Sequence, residues 1–160
     1  TIAITDATIR AAVHLWVTDR STAIKNYGHI SEWDTSRVTD MSGLFSWRSF
    51  MGYDDYEDEG NEEGPRFDVF NDDISNWNVS NVRDFSSMFM EARLFNQNLS
   101  KWNTKRATDM RGMFNLAESF NGDISGWNVS NVQNLTGMFF SALLFSRDLR
   151  QWNTSNATDM

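Results

Sequence analysis

The densest concentration of groups able to bind or react lies in one segment, SWRSFMGYDDYEDEGNEEGPRF. Asp54, Asp55, Glu57, Asp58, Glu59, Glu62 and Glu63 crowd together there, interleaved with Trp47, Phe50, Tyr53 and Tyr56. Carboxylates at that density suit a hard cation or a basic partner. Asp55, Glu57, Glu59 and Gly60 approach positions 1, 3, 5 and 6 of a calcium loop, but Arg66 occupies the place of the closing bidentate carboxylate at about position 12. The EF-hand pattern therefore fails. A looser Ca2+ site stays open, beside a solvated acidic loop and a contact loop for a basic protein. A mere spacer has no use for the aromatics. The expected binding residues are thus Trp47, Tyr53, Asp54, Asp55, Tyr56, Glu57, Asp58, Glu59, Glu62 and Glu63.

Catalytic patterns are thin elsewhere. The two histidines, His14 and His29, have no nucleophile motif and no metal-ligand spacing around them. Recurring Asp and Ser residues read as capping and turn groups. No catalytic residue, resident metal or other cofactor is expected, and the protein is read as a non-enzyme. The absence of cysteine excludes disulfides, Cys-ligated zinc, iron–sulfur clusters and thiol catalysis. Asn-x-Ser/Thr occurs at Asn78, Asn98, Asn128, Asn134, Asn153 and Asn156. In a secreted eukaryotic protein these are acceptors for N-glycosylation. Asn134 is also expected to cap a helix, which leaves the other five as candidates.

The formal charge is −8, with 14 Lys and Arg against 22 Asp and Glu. Such a balance argues against a nucleic-acid footprint and against docking on anionic lipid. It is unevenly spread. Residues 48–68 carry a net −6, and the rest of the chain only −2. No apolar run approaches the roughly 18–20 residues needed to cross a bilayer.

The elements that must position these groups come from an internal repeat. Trp33, Trp77, Trp102, Trp127 and Trp152 mark it; the last four are 25 residues apart and the first gap is 44. The full units are WNVSNVRDFSSMFMEARLFNQNLSK, WNTKRATDMRGMFNLAESFNGDISG and WNVSNVQNLTGMFFSALLFSRDLRQ. A fourth opens at Trp152, and an earlier one, WDTSRVTDMSGLF, is interrupted after Phe45 and resumes at Phe70. Val79/Val82 and Val129/Val132 alternate with Thr104/Ala107 and Thr154/Ala157. A duplicated 50-residue unit explains this, and large and small core residues taking turns are compatible with it.

Within each unit, Phe85, Met88, Phe89 and Ala92 follow i, i+3, i+4, i+7, as do Met110, Met113, Phe114, Ala117 and Leu135, Met138, Phe139, Ala142. The spacing predicts a short helix, N-capped by Asp84, Asp109 or Asn134, with Asp40 and Asp159 equivalent. An anchor aromatic follows (Phe70, Phe95, Phe120, Phe145), then a polar corner and a short strand up to the Trp. Asn71, Asn96 and Asn121 are expected to form one ladder, and Asp73, Asn98, Asp123 and Asp148 another. The fold class is therefore an α/β repeat: a leucine-rich-type solenoid of 25-residue coils, each a short helix plus a short strand. Ile9, Ala12, Val13, Trp16 and Val17 predict an N-terminal capping helix started by Thr5 or Asp6. The domain layout is 1–30 for cap and lead-in and 31–160 for the repeats, with an insertion at 48–66 and a truncated last repeat. No second cap is visible, so the chain is expected to be part of a longer array.

FNGDISGWNVSNV and WDTSRVTDMSGLF resemble the BspA-like leucine-rich-repeat surface proteins, of algal, protist or bacterial type. The similarity spans about residues 6–47 and 67–160. Arg106 and Ala107 depart from the usual Asn-Val, Ser146 from the usual Asn, and 48–66 is inserted. The resemblance implies a right-handed solenoid and a cell-surface or secreted location. It also implies non-catalytic adhesion or protein–protein binding, with no direct membrane insertion by this segment. The alternative is a structural subunit of an appendage, matrix or other large assembly, packing end to end with further repeats.

Overall fold

The computed structural model describes residues 2–48 and 65–160. Two α-helices occur among them, α1 (Ile9–Thr18) and α2 (Arg20–Tyr27), with single 3-10 turns at Ile30–Glu32 and Phe67–Val69. Helix α1 buries Ile9, Ala12, Val13 and Trp16. Its N-cap is Thr8; the expected cap residues are used otherwise, since Asp6 bonds to Thr39 and Asp40. Asp19 starts α2 by accepting from the Thr22 N–H. Asp72 ties the helical segment to the repeats, accepting from the Trp16 indole at 2.8 Å and from Arg20 at 2.7 Å.

The repeats do stack, but not as helix–strand coils. Among the described residues no repeat contains a helix of the predicted kind, and none contains a strand. Among the described residues, strand-like pairing between successive coils is confined to single parallel bridges, running Asp40–Asp84–Asp109–Asn134–Asp159. The α/β leucine-rich-type architecture is therefore incorrect for this chain.

The reason lies in where alternate amides point. In the 85–92 segment, Met88, Met90 and Ala92 donate to the carbonyls of Phe85, Ser87 and Phe89, each closing an i→i−3 turn. The intervening amides of Phe85, Ser87, Phe89 and Glu91 leave the coil for the carbonyls of Asp109, Arg111, Met113 and Asn115. The next coil repeats this: Met110, Gly112, Phe114 and Leu116 donate to Asn134, Thr136, Met138 and Phe140. An α-helix would spend every amide internally on i→i−4 bonds. This train of turns spends half of them on the next coil. It needs left-handed backbone at Ser87, Gly112 and Gly137, and again at Glu91, Leu116 and Ser141. Such φ values interrupt a right-handed helix.

The caps change role with the helices. Asp84, Asp109 and Asn134 accept at Oδ1 from the N–H two residues on, in Ser86, Arg111 and Thr136. These are turns of the Asx type. The polar corners likewise form turns, closed by Trp102 N–H to Leu99 O and its equivalents, so the predicted strands are absent from the described coils.

The core is a set of aromatic columns. Phe45, Phe89, Phe114 and Phe139 stack at 5.3, 5.5 and 5.8 Å. Phe70, Phe95, Phe120 and Phe145 form a second column at 5.9, 6.0 and 5.8 Å. Within a coil the two columns touch, as in Phe114–Phe120 at 3.9 Å. A third column holds the repeat tryptophans, whose indole N–H groups reach the coil before: Trp77 to Ile30 O, Trp102 to Ile74 O, Trp127 to Leu99 O and Trp152 to Ile124 O. Fully burying a Phe stabilises by about 1.5–3 kcal/mol, so the columns dominate the stability of the array.

Candidate interaction surface

Of the expected binding residues, Trp47 is described; Tyr53, Asp54, Asp55, Tyr56, Glu57, Asp58, Glu59, Glu62 and Glu63 lie outside the described residues. So does the looser Ca2+ arrangement of Asp55, Glu57 and Glu59. Among the described residues no group of three or more His, Asp or Glu converges as a metal site.

The ends of the insertion are anchored. Trp47 is 42% exposed, and its indole N–H donates to Glu91 Oε2. Arg48 Nε donates to the other Glu91 oxygen at 2.6 Å, and its guanidinium lies 5.4 Å from the Trp47 ring centre. One carboxylate of the next coil therefore holds both residues at the departure point. On the return side, Arg66 pairs with Asp68 at 2.9 Å, and Phe67 is buried against Phe45. The hydrogen bonds and charge of Arg66 hold the Asp68 carboxyl below its ordinary range, outweighing the opposing effect of partial burial.

A lateral apolar row begins beside that return point. Val69, Leu94 and Leu144 each directly precede an anchor Phe, and all three are exposed, Leu94 by 52%. They sit in register, because Leu94 N–H bonds to Asp68 O and Leu144 N–H to Glu118 O, one coil back in each case. Ser119 holds the third place in the row. Phe140 and Leu143 add exposed apolar surface at 64% and 73%. The sequence reading missed this row. The signal was present as an apolar residue before Phe70, Phe95 and Phe145, but Leu94 and Phe95 are adjacent, and only the stacked coil shows which one faces out.

The two polar rows behave differently. Asn71 Oδ1 accepts from Asn96 N–H, Asn96 Oδ1 from Asn121 N–H, and Asn121 Oδ1 from Ser146 N–H, at 2.9, 2.8 and 3.1 Å. This is a coil-to-coil ladder from side chain to backbone. The second expected ladder does not form between coils: Asp73, Asn98, Asp123 and Asp148 accept from the amide two residues on in their own corners. Side-chain and backbone bonds from Ser125 hold the Asp123 carboxyl below its ordinary value, and those from Arg150 do so for Asp148.

The five glycosylation candidates, Asn78, Asn98, Asn128, Asn153 and Asn156, are all exposed. Asn78 and Asn128 each accept from both the backbone N–H and the hydroxyl of the Ser two residues on. Asn156 is engaged otherwise, donating to Ser130 O at 2.6 Å. Arg106, the departure from the repeat pattern, reaches Asn81 Oδ1 of the preceding coil at 2.9 Å.

A family model described as a Mycoplasma protein of unknown function, DUF285, matches residues 16–54 and 63–160. The chain belongs to the DUF285 family. The break in the match, at 55–62, falls inside the acidic insertion, so the DUF285 pattern covers the stacked coils on both sides of it. No curated protein and no solved structure matches the chain.

Proposed function

We propose that this DUF285 protein is a non-catalytic binding module that acts at the cell surface or in secreted form, mediating adhesion or protein–protein contact. The observation that carries the reading is the exposed apolar row Val69–Leu94–Leu144, which starts where the acidic insertion returns to the coils. Exposed apolar residues clustered on one face, here with Ser119 between Leu94 and Leu144, are the kind of surface that proteins use for contact. The scaffold beneath is rigid, because each coil is bonded to its neighbours through backbone, Trp and Asn ladders. The finer resemblance to BspA-like surface proteins supports the location. The partner is a protein, met by the apolar row together with Trp47 and the carboxylates of the insertion. Exposed Asn78 and Asn128 are the foremost glycan acceptors if the chain passes through a eukaryotic secretory route.

The test uses beads coated with the purified chain and applied to intact cells of the source and of its neighbours. Beads bearing the native chain are expected to attach. Beads bearing a chain with residues 49–66 deleted, or with Leu94→Asp, should attach several-fold less while keeping the native melting temperature. Attachment no better than that of uncoated beads would reject adhesion. Surface labelling of intact source cells checks the location.

The alternative is a structural subunit of a large extracellular assembly. The stacked geometry favours it, since coils that pair by backbone bonds can pack along one axis. Regular density containing the protein in images of the native source would select this reading over isolated surface molecules.

A further inference from the structure

The first coil meets the helical segment in a way that copies its later contacts with other coils. Farther along the array, the amide of Thr108 donates to Arg83 O in the coil before it, as do Asp109 N–H at 3.3 Å and the Thr108 hydroxyl at 3.2 Å. Thr158 and Asp159 repeat the pattern on Gln133 O. In the first coil the equivalent groups are Thr39 N–H, Asp40 N–H and the Thr39 hydroxyl. All three donate to the carboxylate of Asp6, at 2.7, 3.1 and 2.7 Å.

The opposite polarity is copied as well. Ser86 O accepts from Gly43 N–H, Arg111 O from Ser87 N–H and Thr136 O from Gly112 N–H, always from the coil before. The equivalent carbonyl of the first coil is Ser42 O, and it accepts from the guanidinium of Arg10 at 2.5 Å. Arg10 also bonds the Asp40 carboxylate and the Ser42 hydroxyl. The indole N–H of Trp33, whose later counterparts bond a carbonyl of the preceding coil, takes Gly28 O at 3.1 Å.

We infer that residues 2–28 are a coil surrogate: Asp6, Arg10 and Gly28 present the acceptor, donor and carbonyl that a preceding coil would present, and thereby close the ladder to any further coil. An open row of backbone groups is a template for pairing with another chain. The surrogate blocks that template at this end by taking the Thr39 and Asp40 amides and the Ser42 carbonyl with an acid and a base four residues apart. The backbone groups it contacts recur in every described coil, whereas its bonds to the Thr39 hydroxyl, the Asp40 carboxylate and the Ser42 hydroxyl belong to the side chains of the first coil. For any assembly, a partner coil is thereby excluded from this end, which leaves the lateral face and the opposite end for contact.

Amide hydrogen exchange on the full chain tests the assignment. Asp6→Ala should speed exchange at Thr39 and Asp40 by about tenfold or more, with Gln133 and Leu135 unchanged. Asp6→Asn, which keeps an acceptor oxygen, should fall between the two. Unchanged exchange at Thr39 and Asp40 would overturn the inference. So would equal acceleration throughout the array, or loss of the fold in both variants, because Asp6 would then be a general stability residue. A graft tests transferability: residues 1–32 joined directly to Trp77, with Gln97→Asp to replace Asp72. That chain should melt cooperatively and protect the Arg83 and Asp84 amides. A graft without a cooperative melt, or with those amides unprotected, would show that the segment fits only its own coil.

Discussion

The indole N–H of Trp127 donates to the carbonyl of Leu99 at 3.0 Å, 28 residues earlier and one coil back. Both partners are buried. The bond therefore joins two coils across a dry interface. Trp127→Phe keeps most of the ring but removes the inter-coil donor, leaving Leu99 O with the Trp102 N–H of its own corner as its remaining partner. The expected loss is about 0.5–1.5 kcal/mol, the usual net value of one intramolecular hydrogen bond. Urea unfolding monitored by circular dichroism checks it, and a loss near zero would mean that water reaches the carbonyl.

Phe114 touches Phe89, Phe120 and Phe139, with ring centres 5.5, 3.9 and 5.8 Å away. Truncating it to Ala breaks one column and removes its contact with Phe120 of the other. Phe114→Ala should cost roughly 3–5 kcal/mol, as for other large buried aromatics, and Trp102→Ala should cost a similar amount. An effect below about 1 kcal/mol in chemical denaturation would place these rings outside the core.

Ser87 and Gly112 occupy equivalent places in successive trains of turns, at φ 54° and 59°. A side chain at that φ is strained by about 1–2 kcal/mol. Ser87→Gly should therefore raise stability by up to about 1 kcal/mol. Gly112→Ala should lower it by more, because the new Cβ would also lie 3.3 Å from Met90 Cε. Opposite shifts in melting temperature are the expected outcome.

Acid should loosen the corners in a defined window. Hydrogen bonds from the Thr22 hydroxyl and amide hold Asp19 at about 2, down from its ordinary 3.8. Bonds from Ser36 lower Asp34, and bonds from Ser75 lower Asp73. Because each folded value is depressed, the unfolded chain takes up the protons first. The contribution is thus complete above about pH 4 and is lost as the pH falls toward about 2. The melting temperature should be level from neutral pH to about 5 and then drop. A drop that begins near pH 6 would assign the acid response to other groups.

Much of the interior was legible in the sequence. The recurring Trp, the anchor Phe and the Met-Phe pairs are the residues that form the columns, and the apolar face of α1 follows from its spacing. The secondary structure was not legible in the same way. Phe85, Met88, Phe89 and Ala92 are all fully buried, as a helix would require. A train of turns buries the same four positions, so the spacing does not separate the two. The Asn71–Asn96–Asn121 ladder was visible as a row, but its bonds run from side chain to backbone. The Asp73 row looked alike and turned out to be local. The outward row of Val69, Leu94 and Leu144 was hidden beside the anchor aromatics.

The sequence by itself determined the 25-residue period, the identity of the core and the concentration of most of the net negative charge around one insertion, because these depend only on residue type and spacing. The tertiary structure decided where the backbone amides go. A helix satisfies them four residues away, whereas Phe85 finds its acceptor at Asp109, in the next coil. That partner exists only once the coils are stacked, and it is why the chain forms linked turns rather than alternating helices and strands. The same stacking turned Asp6 and Arg10, unremarked in the sequence as a pair, into the two residues that close its first coil.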